Sequence, residues 1–273
     1  CVSSSKMTIV ATASLLEDIV TATNKQSDLR IVRQGTPAYL MLLDGMVESW
    51  PENEQIQLAA AQGYASYASV FIEEDDQAHA SLLYERAKSY ALKALDARGV
   101  KDPRRSRFDQ FEANLAKTKN GDVPYLFWGA SIWGSWISLN RDSMAAIAEL
   151  PRVERMMYRV LELDEGFHYG GPHLFMGIWF ASRPTIAGGD LNRSREHFKR
   201  AVELGEGQFL MAYVYYADHY ARNAFDKKLY VSLLQKVLDA PVDAVADLTL
   251  SNSVAQRKAQ QMLDTIDEHI WQE

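Results

Sequence analysis

The chain has 273 residues, 47% of them hydrophobic, and a net charge of −7 with no basic block large enough to track a nucleic-acid backbone. The one basic run, Lys101 to Arg107, is short and reads as a solvated loop leading into a helix. A single Cys, at position 1, excludes a disulfide framework and any cysteine-pair metal or redox motif.

That Cys stands ahead of Ser3, Ser4 and Ser5. A small polar stretch behind a first Cys resembles the start of a mature bacterial lipoprotein, the alternative being a boundary that happens to fall at a Cys; on the first reading Cys1 is expected to carry acyl chains and residues 1–6 to be a tether. Several acyl chains on one residue hold a protein at a membrane where a single chain would not. Residues 7–273 are then expected to form a single helical domain.

Met7 to Gln26, with Leu15, Leu16, Ile19 and Val20, predicts a first helix. Gly35 and Pro37 are expected to interrupt, and Pro37 to open a helix over 38–50, because a proline in the first turn forfeits no hydrogen bond. Residues 54–73 predict the next helix, with Leu58, Ala61, Tyr64 and Ala65 inward and Gly63 at a close crossing. The acidic turn Glu73 to Asp76 lacks the ligand alternation of a calcium loop, and Asp76 suits a helix N-terminus. Helices follow over 80–97, closed by Gly99, and over 104–117. Residues 123–140 are uncharged but short and interrupted by Gly, Ser and Trp, which favours a packed core helix over a membrane span.

Two patterns then recur. One set of helices carries an aromatic and a Gly at fixed spacing: Tyr125-x-x-Trp128-Gly129, and His173-x-x-Met176-Gly177-x-x-Phe180. The other carries small and aromatic residues: Ala87-x-x-x-Ala91-x-x-Ala94, Val153-x-x-x-Met157-x-x-Val160, and Ser194-x-x-x-Phe198-x-x-Ala201. Pro184, Gly188, Gly189 and Asp190 form the turn of the clearest hairpin, over 170–204. A further hairpin spans 209–238, and a more polar helix over 248–271 suits a terminal cap. These are degenerate tetratricopeptide (TPR) units, whose consensus is about 34 residues. No stretch reads as β, so the fold class is all-α: an α-solenoid of degenerate TPR-like hairpins with additional helices and a C-terminal capping helix.

Chemistry is sparse. There is no Gly-x-Ser-x-Gly, no phosphate loop and no His-Glu-x-x-His, so an enzyme is not expected and no cofactor is implied. The six histidines are scattered and read as packed or exposed rather than metal ligands. If Gly129 and Gly177 mark helix crossings, the concave face holds Tyr64, Tyr67, Leu126, Trp133, Leu174, Ile178, Tyr213 and Tyr220, with Arg183 as the one charge at its mouth. That face is either an apolar groove or pore for a hydrophobic ligand or partner, or core filled by the extra helices.

The run Gly171-x-His173-x-x-x-Gly177, Pro184, Gly188-Gly189-Asp190, His197-Phe198-x-x-Ala201, Phe209 and Tyr216-Ala217-x-x-Tyr220-Ala221 resembles the T-component lipoproteins of TPR-protein-associated TRAP transporters, the TatT-like family. It departs from them at Leu174, where the family has a basic residue. The resemblance implies a periplasmic, lipid-anchored accessory that pairs with a TRAP-type solute-binding protein, forms homo-oligomers (trimers), and carries a hydrophobic pore in each protomer. Two rivals remain: a TPR scaffold lipoprotein that binds a polypeptide in envelope assembly, and an enzyme acting on apolar substrates. The second would need a cluster of titratable groups in the groove.

Overall fold

The structure, a computed structural model, describes residues 18–268 and 271. Twelve α-helices follow from residue 29 onward, and no strand occurs among the described residues. The chain divides into two compact units, one built on Arg30–Asp164 and the other on Glu165–Glu273 together with Thr21–Leu29. Cys1 and the greater part of the first predicted helix lie outside the described residues, of which 18–24 are helical.

In the first unit, α1 runs unbroken over Leu29–Ser49 with Pro37 inside it. This corrects the expected interruption. Val32, Leu40, Leu43, Met46 and Val47 bury one continuous side of the helix across the proline, and that burial outweighs one missing N–H. Nearby, the Thr36 hydroxyl donates to the Val32 carbonyl at 2.6 Å. Helix α2 (Glu54–Tyr67) is capped by Asn53, whose side-chain oxygen accepts from the Gln55 and Ile56 amides. It passes into a π-helical turn at Ala68–Ile72. Helix α3 (Gln77–Ala97) is capped by Asp76, as expected, and ends where Gly99 turns left-handed at φ +100°. Short α4 (Phe108–Leu115) leads to α5 (Val123–Leu139), α6 (Met144–Ile147) and α7 (Leu150–Leu163).

Packing is sequential: α2 lies on α3, α3 on α5, and α5 on α7. The glycines sit at the crossings. A Cβ on Gly129 would stand 2.7 Å from Leu95 Cδ1 and 3.0 Å from Met156 Cε; one on Gly63 would meet Leu40 and Leu43 at 3.0 and 3.1 Å. Three helices are also joined through one carboxylate. Asp44 of α1 accepts from the Tyr64 hydroxyl of α2 and the Tyr90 hydroxyl of α3, both at 2.7 Å, and from Arg86 at 2.8 Å.

In the second unit, α8 (Phe167–Ala181) and α9 (Leu191–Leu204) form the hairpin that the sequence marks most clearly. Gly177 is where they touch: an added Cβ would meet the Phe198 ring at 3.0 Å. The buried Ser194 hydroxyl donates to the Gly177 carbonyl at 2.8 Å. The connecting turn behaves as read. Gly188 is left-handed at φ +85°, a Cβ on Gly189 would overlap the Arg183 carbonyl, and Asp190 caps α9 by accepting from the Asn192 and Arg193 amides. Helix α10 (Met211–Tyr215) runs into a second π-helical turn, Tyr216–Ala221, followed by α11 (Lys227–Asp239). Helix α12 (Thr249–Asp264) covers α10 and α11. Its buried Asn252 bonds the Leu210 amide and the Gln208 carbonyl, both at 3.0 Å, so the closing helix is tied to the last hairpin by polar contacts as well as by Val254, Ala255 and Ala259.

Candidate functional site

The site expected from the sequence divides by unit. In the first unit, Leu126 and Trp133 have no exposed surface. Helix α5 is apolar nearly all round and is covered by α3 on one flank and α7 on another, so positions read as facing a groove face neighbouring helices instead. The Trp133 indole N–H donates to Glu149 at 2.7 Å, which fixes the ring in the core. Both residues are therefore packing residues of this unit. Tyr64 is buried and held by Asp44; the loss of hydration, and then the carboxylate, push its pKa above the usual phenol range. Tyr67 is half-buried, with its ring 5.9 Å from that of Phe71.

The first unit also holds a group that the periodicity does not reveal. Lys88 of α3 is buried, with 2% of its side chain exposed. Its ammonium lies 2.8 Å from Glu85 and 3.0 Å from the centre of the Trp136 ring, and burial pushes its pKa down. Within helix α3 Lys88 occupies the buried side between Tyr84 and Ala91, a position sequence reading gives to apolar residues.

In the second unit, α8 presents a line of stacked groups. Phe175 and Trp179 stack with centroids 5.8 Å apart at 24°, and the Arg183 guanidinium lies 3.9 Å from the centre of the Trp179 ring. The spacing i, i+4, i+8 puts all three on one side of the helix. Ile178 is half-buried beside them, and Leu174 is buried. Of these, sequence reading found Leu174, Ile178 and Arg183 and missed Phe175 and Trp179. The aromatic pair was legible as a spacing of four; the Gly177 crossing drew attention to the adjacent positions. On the following hairpin Tyr213 is buried with the Lys236 ammonium 4.5 Å from its ring centre, and half-buried Tyr220 packs on Tyr216, which stacks on Phe198.

The approach to α8 is strained. His168, Tyr169 and Gly170 are all left-handed, at φ +50°, +59° and +77°. For the two non-glycine residues this costs roughly 1–2 kcal/mol each. The turn is pressed onto α9, since a Cβ on Gly170 would meet Ala201 and Leu204 at 3.0 Å. It carries an aromatic cluster: the His168 and Tyr169 rings each lie 5.8 Å from Phe209. His168 itself is exposed to solvent, so its ring packs on the cluster from the outside.

Around this turn lies a polar chain that was not read from the sequence. Glu165 accepts from Arg200 at 2.6 Å and is bonded to His173 Nε2 at 2.9 Å; His173 Nδ1 is bonded to His197 Nδ1 at 2.9 Å. Arg200 and His173 hold the Glu165 carboxyl down to about 2. Burial, with His173 and Arg193 nearby, pushes His197 down to about 4. Among the described residues no three His, Cys, Asp or Glu side chains gather closely enough to hold a metal ion. No described helix is long and apolar enough to cross a membrane.

The sequence model of the TRAP transporter T-component family matches residues 25–269, spanning both units. The chain belongs to that family. No curated protein matches it. As a T-component it has an accessory place in TRAP transport, and the left-handed turn, the Gly177 crossing, the aromatic line on α8 and the closing helix α12 all fall inside the matched span.

Proposed function

We propose that this T-component is a non-enzymatic, periplasmic lipoprotein. It is held at a membrane by acyl chains on Cys1, forms a homo-oligomer (a trimer), and docks the solute-binding protein of its TRAP system. In this reading each protomer holds or passes a hydrophobic ligand along an apolar face. Its helical hairpins are TPR-like units, which supply the extended surfaces on which such repeats bind partners.

One observation carries the ligand part of this reading: the line Phe175, Trp179 and Arg183 on α8, flanked by half-buried Ile178. Trp179 is itself buried, so the accessible apolar area is that of half-buried Phe175 and Ile178 backed by its ring, and Arg183 keeps a charge at the margin of that area. Membership of the T-component family supports the transport part. Calorimetric titration against the cognate solute-binding protein tests docking. Binding is expected in at least one ligand state; absence of heat and of complex in every ligand state would remove it.

A further inference from the structure

The chain Arg200–Glu165–His173–His197 brackets the left-handed turn. Glu165 precedes residues 168–170 and His173 follows them, so their 2.9 Å bond closes across the turn, while Arg200 and His197 reach in from α9. Bond directions fix where the protons lie. Ionised Glu165 can only accept, so His173 carries hydrogen on Nε2. The Nδ1···Nδ1 bond then holds one hydrogen. With both rings neutral that hydrogen belongs to His197 Nδ1, and the bare lone pair of the pair is His197 Nε2.

A proton added from solvent bonds to His197 Nε2. The His197 Nδ1–H hydrogen then crosses to His173 Nδ1, leaving His197 neutral and His173 an imidazolium. The charge settles on His173 because Glu165 faces that ring, whereas Arg193 stands near His197. A second proton would place two cations 2.9 Å apart and remove the acceptor of their shared bond. Of the other charged and titratable groups nearby, Arg200 is shared between Glu165 and Glu203. From the π-helical turn, Tyr216 and Tyr220 face Arg195. His168 and Tyr169 lie on the turn itself, each with its ring against Phe209.

We propose that the His173–His197 pair is a one-proton switch on the turn at residues 168–170. Uptake of that proton converts the Glu165–His173 hydrogen bond into an ion pair and tightens the turn, which holds the His168–Tyr169–Phe209 cluster in place. Release of the proton loosens the turn and frees the cluster to rearrange. The pair thus couples the pH of the surrounding compartment to an aromatic surface on the second unit.

The test uses nitrogen NMR of the imidazoles together with amide hydrogen exchange, on the whole chain. At a pH of about 7.5 the expected tautomers are Nε2–H for His173 and Nδ1–H for His197; at about pH 5 the pair holds one added proton, with the charge on His173. Exchange at residues 168–170, corrected for its intrinsic pH dependence, slows roughly fivefold over the same interval. Glu165→Gln, at an exposed position, keeps an acceptor for the His173 hydrogen bond, removes the carboxylate charge and loses the effect. His168→Asn keeps it. Independent protonation of both rings, an unchanged response in Glu165→Gln, or its loss in His168→Asn would each overturn the proposal.

Discussion

Glycines show how far a single residue's role depends on what stands opposite it. Gly177 faces the Phe198 ring at 3.0 Å from a would-be Cβ, whereas Gly35 on α1 has nothing within 4 Å. Gly177→Ala is therefore expected to destabilise by about 1–3 kcal/mol, because α8 and α9 must separate or the ring must move. Gly35→Ala is expected to stabilise by about 0.5–1 kcal/mol, since alanine is the better helix former in open space. Denaturant midpoints of the two variants should move in opposite directions; a shift of the same sign would contradict the packing described. The same scale sets the response to acid. His197 is pushed down to about 4 in the folded chain, against about 6.5 for an unperturbed imidazole. The unfolded chain binds its proton first, so its contribution to stability is complete above about pH 6.5 and is lost as the pH falls toward 4. Glu165, held down to about 2, adds a contribution that is complete above about pH 4.5 and is lost as the pH falls from there toward 2. The melting temperature should fall steadily from pH 6.5 downward, and His197→Asn should flatten the upper part of that fall.

Elements were legible where their signals are local. The turn between α8 and α9 was readable because Pro184, Gly188, Gly189 and Asp190 each act on their own backbone, and α5 was readable as a core helix from its length and missing charges. Asp190→Ala should cost about 1 kcal/mol through the loss of one cap, measurable as a lower unfolding midpoint. Pro37 shows the opposite case. It looked like a boundary, yet α1 continues through it because buried side chains on both sides of it share one face. The two π-helical turns, at Ala68–Ile72 and Tyr216–Ala221, have no local signature and were not foreseen. The candidate site was legible only in part for a related reason. Which side of a helix faces a groove depends on what covers its other sides: α5 is enclosed and hides Leu126 and Trp133, while α8 leaves Phe175, Ile178 and Arg183 partly uncovered. The His173–His197 bond joins residues 24 apart across a helix crossing, and nothing in the spacing alone announces it.

At the scale of the molecule, the chain is a T-component whose family match covers both of its compact units. The second unit displays stacked rings, a guanidinium and a strained aromatic turn. We propose that this accessory works by assembling with a solute-binding protein. The decisive experiment is native mass spectrometry of the purified protein, alone and mixed with the solute-binding protein of its own TRAP system. A homo-oligomer that takes up one solute-binding protein per protomer is expected. An oligomer that ignores that partner, with and without ligand, would contradict it.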